Sequence, residues 1–452
     1  MKQEKTFYKV VWSIALPVTL QSLLQSSFSV IDQVMTGQLG SISIAGIGLG
    51  GKFSSIFSVL VSAVGAAAGI MIAQYMGKKD RREVSRSFCV NLLMALLLAV
   101  VFTGLCCSFP AQIMGAYTQD EATREMAAGY LRILALSYLP IAAGTLFSTL
   151  LRCMEAAVIP LYASILAAVL NTGLNYVLIF GKLGAPRLGV AGAAWATVIS
   201  QWFGCLLILL LFIRHYKKQE MKLIPAFRLN KTGRVQYLGI LLPILVCEFF
   251  WSLGENVYAA IYGHIGTEAC AAMTLTTPIQ VLFIGALSGI SQAAGILIGK
   301  SLGCEEYERA YRESKKLMWY GLLGSALLSV LLMLCSGYYV SIYKVEQPVQ
   351  ELARQIIFAF ALIAPVKVQN MILGGGIIRS GGKTTYVMVI DFIGTWGFGV
   401  PLGLLAAFVC KLSIPYVYFI LSLEECVRLL ISLLVFRRKS WMNSLRQEIA
   451  DI

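Results

Sequence analysis

Long apolar runs, separated by short polar and often basic segments, occupy almost the whole chain. The stretches Phe88 to Gln119, Ala156 to Gly181, Ala269 to Gly299, Leu317 to Tyr343 and Phe392 to Cys410 hold no charged residue. Each reaches about the 20 residues that a helix needs to cross hydrocarbon. A membrane barrel would alternate apolar and polar positions at period two, and that alternation is absent. With no water in the bilayer to satisfy the backbone, such runs can only be helices. The pattern predicts twelve spans, beginning near residues 10, 45, 88, 125, 157, 190, 235, 269, 317, 351, 384 and 413. No polar segment between them is large enough for a soluble domain.

The spans are organised by an internal repeat. Shifted by 226 positions, half the 452-residue length, Leu16 to Ser87 aligns without a gap on Leu242 to Glu313. Backbone-shaping residues keep the register: Pro17 falls on Pro243, Gly37 on Gly263, Gly40 on Gly266, Gly69 on Gly295 and Gly77 on Gly303. Six spans per half insert both copies in the same direction, which predicts two six-helix lobes related by a pseudo-two-fold axis along the membrane normal. The expected lobes are residues 1–220 and 235–452, joined by the polar segment at about 214–234. Repeats of this size in an apolar chain suggest a transporter, because alternating access needs two similar bundles that rock about a central site.

Composition sharpens this picture. Hydrophobic residues make up 58% and charged residues 13% of the chain, far from the roughly one half and one quarter of soluble domains. The net charge of +14 could mark a nucleic-acid surface. Under the twelve-span topology, however, most Lys and Arg fall in short loops on one side, which the positive-inside rule makes cytoplasmic. A multi-pass protein of the cytoplasmic membrane follows, with both termini inside, lipid around it and no nucleic-acid partner; a monomer is expected. The amino-terminal apolar segment contains Pro17, Gln21, Gln25 and Asp32 and leads into the repeat, so it reads as a first span and not as a cleaved signal. The eleven cysteines show no metal or redox spacing, and the pair Cys106 and Cys107 reads as packing.

An ionisable side chain inside a span costs several kcal/mol, so each needs a partner, water or a function. The candidates are Asp32, Lys52, Glu248, Glu255, Lys367 and Asp391. In span 1, Gln25, Ser29 and Asp32 share one helical face. In span 5, Asn171 and Asn175 stand one turn apart, and span 6 offers Thr197 and Gln201 at the same spacing. Converging, these faces would supply a carboxylate, amide carbonyls and a hydroxyl in a low-dielectric bundle, a site for a hard monovalent cation or a proton. The same side chains also suit the plainer role of bridging helices, for which an acid is the costlier means. Glu255 and Lys367 are expected to pair across the second lobe or to contact substrate or ion. Asp391 and Lys52 are placed near span ends, where snorkelling is easy. Pro17, inside span 1, removes a backbone donor and favours a kink.

These residues, in this order, resemble the multidrug and toxic compound extrusion (MATE) transporters over nearly the full length. The resemblance rests on Pro17 with Val30-Ile31-Asp32, on Gly37, Gly40 and Gly77, and on Leu150-Leu151-Arg152. Leu170-Asn171-Thr172-Gly173-Leu174-Asn175, Gly192-Ala193-Ala194-Trp195-Ala196-Thr197 and Ile378-Arg379-Ser380-Gly381-Gly382-Lys383-Thr384 complete it. It implies an antiporter that exports amphipathic, often cationic organic compounds against inward flow of H⁺ or Na⁺, with no other cofactor. It also implies that Asp32 takes the coupling ion, that Pro17 marks the bend, and that Asn171, Asn175 and Thr197 complete the cation site. Asn175 stands where related sites carry a second Asp. A branch of the family uses acids on spans 7 and 10; here Trp251, Lys367 and Val368 occupy that region and Glu255 lies about one turn away. Coupling is therefore expected through the first lobe, with Gln25, Gln201, Glu255 and Lys367 as secondary substrate or ion contacts.

The rival within the same superfamily is a flippase of lipid-linked saccharide, for which Lys52 and Lys367 leave room. A membrane-embedded enzyme would want clustered His, Asp or metal ligands, yet the two histidines are His215 in the linker and His264 near an outer loop. Gly374-Gly375-Gly376 lacks the lysine context of a phosphate loop.

Overall fold

The computed structural model describes residues 2–218, 231–341, 343 and 345–445, and these contain helices and no strand. The helices are α1 (Lys2–Thr36), α2 (Ser41–Gly77), α3 (Arg81–Ser108), α4 (Pro110–Gly115), α5 (Glu121–Leu134), α6 (Tyr138–Cys153), α7 (Val158–Phe180) and α8 (Val190–Lys218) in the first half. The second half holds α9 (Lys231–Ile265), α10 (Thr267–Gly303), α11 (Tyr307–Ser341), α12 (Gln347–Asn370), α13 (Thr384–Phe392), α14 (Val400–Leu404), α15 (Ile414–Ser422) and α16 (Glu424–Arg437). Three π-helical stretches, Met371–Ile378, Ile393–Gly399 and Leu405–Val409, follow α12, α13 and α14.

Eleven helical segments among the described residues are long and apolar enough to cross a membrane. The twelfth expected span is present as α15 and α16, interrupted at Leu423 and carrying Glu424, Glu425 and Arg428. Several helices begin before their apolar runs. α11 starts at Tyr307, inside a basic segment, where the charge-free run begins at Leu317. Hydropathy marks the hydrocarbon crossing, whereas helix continues into the charged turn beyond it.

Compactness divides the chain into Leu23–Ile72 with Asp80–Asn230, and Lys231–Ile452 with Met1–Ser22 and Ala73–Lys79. The expected boundary near 220–235 separates the bulk of the two, but the first part of α1 and the last turn of α2 group with the later half. The segment expected as the linker lies largely outside the described residues.

In the first unit, α7 packs on α8 so closely that a Cβ on Gly192 would stand 2.6 Å from the Leu178 carbonyl oxygen. Phe57 of α2 stacks on Tyr138 of α6 at 4.3 Å between centroids, both rings fully buried. Gly50 gives the Tyr130 ring of α5 room to lie on α2. Asp80 starts α3 by accepting from the N–H groups of Arg82 and Glu83, both at 3.1 Å, which satisfies two of the helix's orphan donors.

In the second unit, the ends of α2 and α10 cross at repeat-equivalent glycines. A Cβ on Gly77 would fall 2.1 Å from the Lys300 carbonyl oxygen, and one on Gly303 would fall 2.0 Å from that of Gln74. Both helices then end in a left-handed residue at equivalent positions, Lys79 (φ 58°) and Glu305 (φ 61°). The Gln74 amide, fully buried, donates to the carbonyls of Ser380 (2.6 Å) and Asn443 (3.1 Å) and accepts from the Leu445 N–H (2.8 Å). Pro17 is buried inside an unbroken α1, and nearby Ala15 offers its carbonyl to a glycine gap at Gly289 of α10.

Replacing Gly192 with Ala is expected to force α7 and α8 apart and to cost about 1–3 kcal/mol. Gly104→Ala, whose added Cβ meets nothing within 4 Å, should leave stability unchanged or slightly raised. Thermal unfolding of the two variants in detergent checks the contrast.

Candidate functional site

The first unit carries a polar cluster built from α1, α7 and α8. Asn175, completely buried, donates from Nδ2 to Asp32 Oδ1 at 2.5 Å and to Asn171 Oδ1 at 3.2 Å. Because both partners are acceptors, the orientation of the Asn175 amide is fixed. Its Oδ1 is then left buried with no hydrogen-bond partner. Asn171 in turn donates to Ser200 Oγ at 3.3 Å, and Ser200 donates to the Thr197 carbonyl at 3.0 Å. Asp32 is half-buried and forms no ion pair among the described residues.

Sequence spacing thus placed Asp32, Asn171 and Asn175 together; on α8 the hydrogen-bond partner of this cluster is Ser200 and not Thr197. The Thr197 hydroxyl donates to its own helix at Ala193 O, 3.1 Å away, and Ser200, one turn on, is the residue that reaches Asn171. Thr197 flanks the cluster and makes no hydrogen bond to Asp32 or either asparagine. Gln25 and Gln201 are exposed and make none either. An orphaned acceptor beside an unpaired carboxylate is a poor end state, costing about 1–3 kcal/mol. It suits a cation or proton: a carboxylate with no cationic partner among the described residues and an amide oxygen that no donor reaches.

The second unit holds a larger charged network centred on Arg428 of α16. Its guanidinium faces Asp391 at 3.8 Å, Glu424 at 3.3 Å and Glu425 at 3.9 Å, and it donates to Thr395 Oγ1. Gly394 and Gly399, in and at the end of a π-helical stretch, make room for it. A Cβ there would stand 2.4 Å from Arg428 Cγ and 2.1 Å from a Glu424 carboxylate oxygen respectively. Tyr258 donates to Glu424, and Asn370 donates to Glu425 at 2.8 Å. The expected pairing of Glu255 with Lys367 is not found: Lys367 lies 3.7 Å from Glu425, and Glu255 joins no ion pair among the described residues. Nor is Asp391 a snorkelling end residue; besides Arg428 it accepts from the Cys247 thiol at 3.0 Å. Arg379 and Glu248 pair at 3.5 Å. The available signal for this network was Glu424 and Glu425 with Arg428 one turn on, inside the last apolar run. No group of His, Cys, Asp and Glu among the described residues is arranged to hold a metal ion.

Comparison with known proteins agrees with this architecture. The MatE family model matches residues 17–177 and again 243–405, one match per repeat. The chain belongs to the MatE family. A second model, for the lipid II flippase MurJ, matches residues 115–264. Among curated relatives, the probable multidrug resistance protein YoeA of Bacillus subtilis is 24% identical over 91% of this chain and 90% of its own. The probable multidrug resistance protein NorM of Thermotoga maritima is 23% identical over 96% and 93%. A crystal structure of MATE in the straight conformation superposes with a TM-score of 0.87 at 18% identity, covering 96% of both chains. A MOP superfamily transporter from Pyrococcus furiosus Vc1 gives 0.85 at 18%, again over 96% of both. This MatE protein is accordingly a multi-pass membrane transporter of small molecules, not an enzyme.

Removing the cation at the centre of the second network, by Arg428→Met, leaves three carboxylates facing one another and is expected to cost about 3–5 kcal/mol. Arg124→Met, which breaks a surface pair of 39% and 86% exposed side chains, should stay within roughly 1 kcal/mol. Fluorescence-detected thermal stability of the two variants makes the comparison.

Proposed function

We propose that this MatE transporter is a secondary antiporter that exports amphipathic organic cations from the cytoplasm, driven by H⁺ or Na⁺ entering at Asp32. The observation that carries the reading is the orphaned Asn175 Oδ1 beside the unpaired Asp32 carboxylate in a membrane-embedded helical bundle. The names of the relatives, multidrug resistance proteins spanning nearly the whole chain, support the cargo class.

Loading works through charge. With Asp32 ionised, its Oδ1 holds the Asn175 amide and its charge stands uncompensated in a medium where such a charge costs several kcal/mol. A proton removes the charge and weakens the charge-assisted bond to Asn175. A cation instead recruits the free Asn175 oxygen as a ligand. Either event changes how Asp32 ties α1 to α7, and coupling follows because the two loading states favour different helix arrangements. Exporting one positive charge against the membrane potential costs roughly 2.3 kcal/mol per 100 mV, which ion entry has to supply.

The MurJ match to residues 115–264 gives a second reading, export of a lipid-linked saccharide without ion coupling. Efflux of a fluorescent organic cation from proteoliposomes, under separate H⁺ and Na⁺ gradients, separates the two. Wild type should respond to one gradient, and Asp32→Asn should lower gradient-driven transport about tenfold or more. Gradient-driven rates equal in both proteins would remove Asp32 from the mechanism, and transport indifferent to both gradients would favour the flippase.

A further inference from the structure

The first unit carries an apolar trough of about 600 Å³. Its floor is Leu136, in the 3-10 turn Ala135–Ser137 that joins α5 to α6, with Leu139 of α6. One wall is Thr103 of α3, and the other is a stripe of exposed α8 side chains, Trp195, Ile199, Trp202 and Leu206. At about 100° per residue this stripe lies on the side of α8 opposite Thr197 and Ser200. The trough therefore faces away from the Asp32 cluster, toward lipid.

Its walls are pinned to its floor by hydrogen bonds. Thr103 Oγ1 donates to the Ala135 carbonyl at 3.0 Å, and the Trp202 indole N–H donates to the Leu136 carbonyl at 3.2 Å. The concavity is thus built into the packing of three spans, and both donors are consumed. Along its middle it offers an occupant apolar contact.

One end is different. One turn of α3 beyond Thr103, Cys107 Sγ lies 3.9 Å from the carbonyl oxygen of Arg132, in the last turn of α5. Arg132 is exposed, continues the face of Leu136 and Leu139, and makes no ion pair or hydrogen bond among the described residues. Spans 4 and 6 run in the same direction, so Trp195, two turns before Trp202, stands at this end as well. At the other end, α8 carries no charge between Leu206 and Arg214. A cation therefore closes one end only of a trough about 16 Å long, from Trp195 to Leu206 at 1.5 Å per residue.

We infer that the trough holds one acyl chain of an anionic phospholipid, whose phosphate is taken by Arg132 and whose chain lies along α8 toward Leu206. This site is independent of the efflux reading. Surrounding lipid is as apolar as the lining, so apolarity alone gives no preference for the trough. Concavity fixes where the chain lies, and the guanidinium decides which headgroup it carries. A second copy of the protein seated here would bury Arg132 unpaired, and a cationic cargo would meet it as repulsion.

Native mass spectrometry of the purified transporter, titrated with dioleoyl phosphatidylglycerol or dioleoyl phosphatidylcholine, tests the site. Wild type should bind one phosphatidylglycerol about tenfold more tightly than phosphatidylcholine. Arg132→Gln should abolish that preference, Arg132→Lys should keep most of it, and Arg124→Gln, earlier on the same helix, should leave it intact. Ile199→Trp, which fills the trough from an exposed position, should weaken both lipids. In thermal unfolding, phosphatidylglycerol should raise the melting temperature of wild type more than that of Arg132→Gln. Equal affinity of wild type for the two lipids, an unchanged preference in Arg132→Gln, its loss in Arg124→Gln, or wild-type binding by Ile199→Trp would overturn the site. A dimer of the protein that excludes the lipid would overturn it as well.

Discussion

A charge in hydrocarbon costs several kcal/mol, and each half of this transporter meets that cost differently. In the carboxyl-terminal half, Arg428 neutralises acids from α13 and α16, and glycines of a π-helical stretch bring the backbone close enough to enclose it. Breaking such a buried set is expensive, so it holds α12, α13 and α16 in fixed relation. In the amino-terminal half, Asp32 has amides and no cation. One network is nearly closed, and the other leaves a carboxylate with no cationic partner among the described residues.

Equivalent backbone with unlike chemistry is the outcome of the internal repeat. Gly77 and Gly303, Lys79 and Glu305 occupy the same roles in both copies. The ionisable residues within the spans do not repeat: position 32 carries Asp, and its equivalent, 258, carries Tyr, which donates to Glu424. The repeat therefore preserves the helix crossings and lets the two halves take different electrostatic tasks.

Much of this was legible in the sequence, for identifiable reasons. Hydropathy located the spans because a lipid-facing helix must be apolar over its crossing, and it misjudged helix starts such as Tyr307 because nothing in hydropathy requires helix to stop at the membrane surface. Asp32 and Asn175 could be joined because an acid within a span is rare and needs a partner. Thr197 and Ser200 could not be distinguished, since residues three apart share a face and both hydroxyls donate to their own helix backbone; only the position of Asn171 shows that Ser200 is the one in reach. The partners of Lys367 and Asp391 were illegible because they lie on other helices, Glu425 and Arg428 on α16 and Cys247 on α9, and the face a residue shares within its own helix does not say which helix packs against it.

Gln74 has a consequence for how the chain is made. Its side chain accepts the N–H of Leu445, 371 residues later, and Lys78 donates to the carbonyl of the same residue. An early helix thus shares hydrogen bonds with residues translated much later. Units of a large protein fold as they are synthesised, from the amino terminus onward, but this end of α2 cannot complete its hydrogen bonds until Leu445 has been made.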